Sequence, residues 1–111
     1  MKERLAAKYL VSKGYAILEM NFRSRRGEID IIARDPEYLV FIEVKYRRNL
    51  SAGFPEEAVT LKKQQIISRT ADYYIIRHGI PEGTPCRFDV ISILGDRVRH
   101  YENAFEYKGG W

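Results

Sequence analysis

Two apolar runs joined by a tight turn constrain this chain more than anything else in it. Glu28–Arg34 carries Ile29, Ile31, Ile32 and Ala33, and Tyr38–Arg47 carries Leu39, Val40, Phe41, Ile42 and Val44. β-Branched and aromatic residues at this density favour extended strands. Between them Asp35-Pro36-Glu37 reads as a turn, because proline fixes φ and aspartate bonds its own backbone. The pair is an antiparallel hairpin. Charge interrupts both strands, with Glu28 and Asp30 in the first and Glu43 and Lys45 in the second. Side chains alternate along a strand, so Glu43 and Lys45 share a face opposite Val40, Ile42 and Val44. The same alternation sets Ile29, Ile31 and Ala33 against Glu28, Asp30 and Ile32. The hairpin brings Asp30, Glu43 and Lys45 together at one end of a sheet.

The rest of the chain supplies elements to cover that sheet. Lys2–Lys13 reads as a helix with Leu5, Ala6, Tyr9 and Leu10 at helical spacing, and Gly14 suits the position past its end. Tyr15–Phe22 reads as a strand. A long amphipathic helix is predicted over Leu61–Arg77, with Thr60 as N-cap and Ile67, Ala71 and Tyr74 as its apolar stripe. Arg87–Leu94 and Val98–Tyr101 are further strands around the Gly95-Asp96 turn. The order α-β-β-β-α-β-β predicts an α/β (α+β) fold, a mixed sheet flanked by helices. With 111 residues there is room for one domain, placed at 1–106, with 107–111 as a flexible tail.

Composition excludes several classes. At 45% hydrophobic and 31% charged residues the chain is not a disordered tail protein. No apolar run approaches the ~20 residues of a membrane span. The start mixes charged and apolar residues and has no signal-like apolar stretch, so a cytoplasmic protein without membrane partners is expected. Cys86 is the one cysteine, which excludes an internal disulfide.

Acids inside apolar strands are costly unless they are paired or bind a cation. Two carboxylates beside a lysine suit Mg²⁺ or Mn²⁺, which take hard oxygen ligands and keep waters for the rest. A metal-bound water can attack a phosphodiester, and a partly buried lysine can orient or deprotonate it. The competing reading of a Glu-x-Lys strand is a salt-bridged, half-exposed face. Around the acids lie Arg23, Arg25 and Arg26 on one side and Arg47 and Arg48 on the other. Lys62 and Lys63 open the long helix, where backbone N–H groups also favour phosphate. With a net charge of +4, this clustering points to a nucleic-acid backbone.

Gly27-Glu28-Ile29-Asp30-Ile31-Ile32-Ala33 and Leu39-Val40-Phe41-Ile42-Glu43-Val44-Lys45-Tyr46-Arg47 resemble the YraN-type family of small bacterial proteins. The likeness extends through Glu3-x-x-Ala6-x-x-Tyr9-Leu10, Gly14-Tyr15, Asn21-Phe22-Arg23, Ala58-Val59-x-x-Lys62, Ala71-x-x-Tyr74, Arg87-Phe88-Asp89-Val90 and Asn103-Ala104-Phe105. That family is itself similar to archaeal Holliday-junction resolvases of the PD-(D/E)xK, restriction-endonuclease-like nucleases. The resemblance implies a restriction-endonuclease-like core. It also implies Asp30, Glu43 and the Val44 carbonyl as metal ligands, Lys45 as the water-positioning lysine, and Glu3 as a further metal-site acid. The superfamily's proline before the aspartate is replaced by Ile29.

The expected activity is metal-dependent cleavage of DNA, with branched or junction DNA in repair or recombination as the favoured substrate and a homodimer as a suitable assembly. The alternative is a non-catalytic nucleic-acid-binding or scaffold protein whose site is intact but unused.

Overall fold

A computed structural model describes residues 2–47 and 59–109. The elements are α1 (Lys2–Ser12), β1 (Ala16–Arg23), β2 (Glu28–Arg34), β3 (Leu39–Arg47), α2 (Leu61–Arg77), β4 (Cys86–Leu94) and β5 (Arg97–Phe105). The five strands form one mixed sheet in sequence order, antiparallel throughout except for the parallel β3–β4 pair. The predicted α+β order is thus realised. β5 runs four residues past the expected Tyr101, because β4 stays available for pairing as far back as Phe88↔Phe105. Among the described residues no helix is long and apolar enough to cross a membrane.

Local chemistry explains the boundaries. Asp35 Oδ1 accepts the backbone N–H groups of Glu37 and Tyr38, at 2.8 and 2.6 Å, which closes the β2–β3 turn. Thr60 caps α2, its hydroxyl accepting the Lys63 N–H at 3.1 Å. Gly14, at φ 93°, ends α1 in a conformation that L side chains resist.

One core lies on each face of the sheet. On the α1 side Ala6 and Leu10 pack with Ile31, Ala33, Val40, Ile42, Val44, Ile91 and Ile93. On the α2 side Ile67, Ala71 and Tyr74 pack with Ile29, Ile32, Phe41, Phe88, Val90 and Phe105. The helix stripe is the predicted one. The β2 alternation is not: Ile29 joins the α2-side core, away from Ile31. β1 changes face at the same level, with Met20 on the α1 side and Phe22 on the α2 side. Between these residues Asn21 adopts φ 52°. The Met20↔Ile31 and Phe22↔Ile29 pairs flank Asn21 and Asp30, so the tip of the β1–β2 hairpin turns over at that level. Asparagine tolerates the left-handed region better than most residues, and strict period two fails there.

The turned tip lands on α2. A Cβ on Gly27 would lie 2.3 Å from Ile66 Cγ2 and 3.4 Å from Thr70 Oγ1, so only glycine lets the turn approach the helix this closely.

Candidate metal centre

The β2–β3 ladder runs from Arg34↔Leu39 to Ile31↔Ile42. Beyond it β2 continues paired with β1 as far as Arg23↔Glu28, while β3 continues paired with β4 as far as Arg47↔Leu94. The sheet forks, and the fork holds the acids. Continued register would set Ile29 opposite Val44. Instead the Val44 N–H donates to Asp30 Oδ2 at 2.7 Å, a side chain standing in for a backbone acceptor. In an antiparallel ladder the residue that donates towards a neighbour also accepts from it. The Val44 carbonyl therefore faces the same opening.

Glu43 is buried, at 6% exposure, and its carboxyl lies close enough to that of Asp30 for the two to act on each other. Lys45 Nζ lies 3.5 Å and Lys63 Nζ 3.8 Å from Glu43 Oε2. Burial, then the neighbouring Asp30 charge, pushes the Glu43 pKa from 4.5 up to about 7, against the pull of Lys63 and Lys45. Burial also raises Asp30, and the charges of Glu3 and Glu28 add to it, although the Val44 N–H and Glu43 act the other way. Two crowded carboxyls that hold on to protons form a site whose penalties a dication would relieve.

Of the residues singled out from sequence, Asp30, Glu43, Val44 and Lys45 come together here. Glu3, half-buried on α1, acts on Asp30 through its charge. Among the described residues no three His, Cys, Asp or Glu side chains gather as a metal-holding group. The donor set is two carboxylates and a backbone oxygen, which suits Mg²⁺ or Mn²⁺ and their retained waters better than zinc. Arg23 is exposed and pairs with Glu28 at 3.2 Å. Arg25 and Arg26 are exposed on the turned hairpin tip, Arg47 is half-buried at the end of β3, and Lys62 is exposed at the start of α2. Arg48 lies outside the described residues, as does Ala58.

Sequence reasoning named Lys63 only as a phosphate contact. Its pairing with Glu43 follows from the Thr60 cap, which fixes the helix phase. A second cluster escaped it. On the α1 face Asp89, with no exposure, accepts from Arg87 Nε and Nη2, both at 2.9 Å. It also accepts from His100 Nε2 at 2.6 Å and from the Asn103 N–H at 2.9 Å. Arg87 further reaches the Tyr15 hydroxyl at 2.7 Å. Burial raises the Asp89 pKa, but His100, Arg87 and the Asn103 N–H together hold it below the usual carboxylate value. The Arg87-x-Asp89 spacing was the available signal.

The fold and site define an α+β protein with a buried and a half-buried acid side by side at the fork of a mixed sheet. The chain belongs to the uncharacterised protein family UPF0102, whose model matches residues 2–93. It is 55% identical to a UPF0102 protein of Lachnoclostridium phytofermentans over 97% of this chain and 92% of that one. It is 48% identical to one from Clostridioides difficile, over 93% and 91%. It is 45% identical to one from Persephonella marina, over 94% and 89%.

Proposed function

We propose that the chain is a divalent-metal-dependent endonuclease of the restriction-endonuclease-like kind, hydrolysing phosphodiester bonds in DNA. The observation that carries this reading is the pairing of buried Glu43 with half-buried Asp30, with Lys45 Nζ 3.5 Å from Glu43. Asp30, Glu43 and the Val44 carbonyl would hold Mg²⁺ or Mn²⁺. When bound, the ion supplies an acidified water and neutralises charge on the reacting phosphate.

The chain's own residues do the rest. Asp30 is fixed by the Val44 N–H and so presents its remaining lone pairs in one orientation. Glu43 must be ionised to serve as a ligand, and Lys45 and Lys63 favour that form. Lys45, half-exposed at the rim, then orients the attacking water or steadies the charged phosphate. Glu3 is the further acid, on the α1 side. Arg23, Arg25, Arg26, Arg47, Arg48 and Lys62 grip the backbone on either flank. Junction or other branched DNA is the substrate we favour, and a homodimer with two sites would cut both strands.

The test incubates wild type and Asp30→Ala with labelled linear, single-stranded, flap and four-way-junction DNA in Mg²⁺, Mn²⁺ or EDTA. Metal-dependent cutting that Asp30→Ala abolishes is the expected result. Binding without cutting in any metal would overturn it in favour of a scaffold, and sedimentation as a monomer would remove the homodimer.

A further inference from the structure

The turned hairpin tip and α2 form a half-open cavity of about 190 Å³ lined by Ser24, Arg25, Arg26, Arg69, Asp72, Tyr73 and Ile76. We infer that this cavity is a subsite for an unpaired nucleotide of a single strand. The inference rests on the nucleic-acid part of the reading above, and not on catalysis.

Three observations converge. The first is charge. Three arginines, Arg25, Arg26 and Arg69, line the cavity with one acid, Asp72. Guanidinium groups recognise phosphate through paired N–H donors. The second is an uncovered apolar surface between those cations. Tyr73 is 43% exposed and Ile76 79% exposed. The Tyr73 ring is steadied by Phe22, with centroids 6.0 Å apart, and by Arg77, which donates to its hydroxyl at 2.9 Å. A held ring beside arginines is the arrangement that stacks unpaired bases.

The third is size and rigidity. The cavity is smaller than the roughly 300–1,000 Å³ of pockets for drug-sized ligands, so it admits a single base or phosphate group. Its walls are set by the Gly27–Ile66 approach and by the turn's own bonds. The Ser24 N–H donates to the Gly27 carbonyl at 2.8 Å, and the Arg26 N–H donates to Ser24 Oγ at 3.2 Å. Bases stacked within a duplex cannot reach the ring, so the subsite selects unpaired strand. At 1.5 Å rise per helical residue, its α2 residues lie roughly 9–20 Å along the helix from Lys63. It is a flank of the acid site and distinct from it.

The experiment is fluorescence anisotropy in EDTA with labelled oligothymidine and a blunt duplex of equal length. It compares wild type, Tyr73→Ala and Ile76→Glu, each checked for folding by circular dichroism. Each variant should weaken single-strand binding about tenfold and change duplex binding less than about twofold. Ile76 is exposed enough that its replacement leaves the fold intact. Unchanged single-strand affinity in both folded variants, equal losses for the two DNAs, or no single-strand binding by wild type would each overturn the proposal. Because no metal is present, Tyr73-dependent binding can stand even if the nuclease reading fails.

Discussion

Lys63 Nζ stands 3.8 Å from Glu43 Oε2, so this buried carboxyl is bracketed by a lysine from its own strand and one from the α2 layer. The helix thereby contributes charge to a site whose two adjoining acids and Lys45 come from the hairpin. Lys62, one residue earlier, is exposed.

This bracket sets a pH dependence. The Glu43 pKa lies at about 7 when folded, against an ordinary value of 4.5. The unfolded chain therefore releases this proton first, and Glu43's stabilising contribution, complete below pH 4.5, is lost as pH rises through 7. Urea titrations of metal-free protein should show this decline, and Glu43→Gln should flatten it. Lys63→Ala should extend the decline to higher pH, since Lys63 favours the ionised form. Mn²⁺ binding should tighten over the same window.

Asp30→Asn and Asp30→Ala should differ. Asparagine retains an acceptor for the Val44 N–H and removes a half-buried charge beside Glu43, so thermal stability without metal should hold or rise. Alanine leaves that donor without its acceptor and should cost about 1–3 kcal/mol. Mg²⁺ or Mn²⁺ should raise the Tm of wild type, and neither variant should show that rise. A metal-dependent Tm rise retained in Asp30→Asn would remove Asp30 as a ligand.

Gly27→Ala should destabilise the fold by about 1–3 kcal/mol, because its Cβ meets Ile66 Cγ2 at 2.3 Å. Isoleucine is stiff at χ1 and cannot swing aside cheaply. In an Ile66→Leu background, where that methyl is gone, most of the cost should disappear. Additive losses in denaturant unfolding of the double variant would refute the contact.

Asp89→Asn should cost about 3 kcal/mol, since it weakens two Arg87 bonds and leaves a buried guanidinium short of its counter-charge. Asp89 is held below its usual pKa, so its contribution is present above the ordinary carboxylate range and is lost as pH falls through the depressed value. Wild-type stability should therefore fall more steeply in acid than that of the variant, as followed by circular dichroism.

Much of this was legible in the sequence, for stated reasons. Val40, Phe41, Ile42 and Val44 form a β-rich run, and Ile67, Ala71 and Tyr74 keep helical spacing. Local pattern alone therefore located β3 and α2, and the hairpin drew Asp30 to Glu43. What stayed hidden depends on long-range pairing. The face change at Asn21 and Ile29 needs the β1–β2 register, and the fork needs to be seen against both neighbouring strands. The Asp89 cluster joins Tyr15, Arg87 and His100 across β4, β5 and the segment after α1, and no local period links those positions.

The Val44 amide is held by a carboxylate where a sheet would normally offer a carbonyl. That substitution gives the protein a native spectroscopic reporter. A charged acceptor shifts the amide proton resonance, and its pull changes when Asp30 gains a proton or shares its electrons with a cation. A single backbone cross-peak in a nitrogen-15 spectrum can thus read the electrical state of the fork, with no label in the acids themselves.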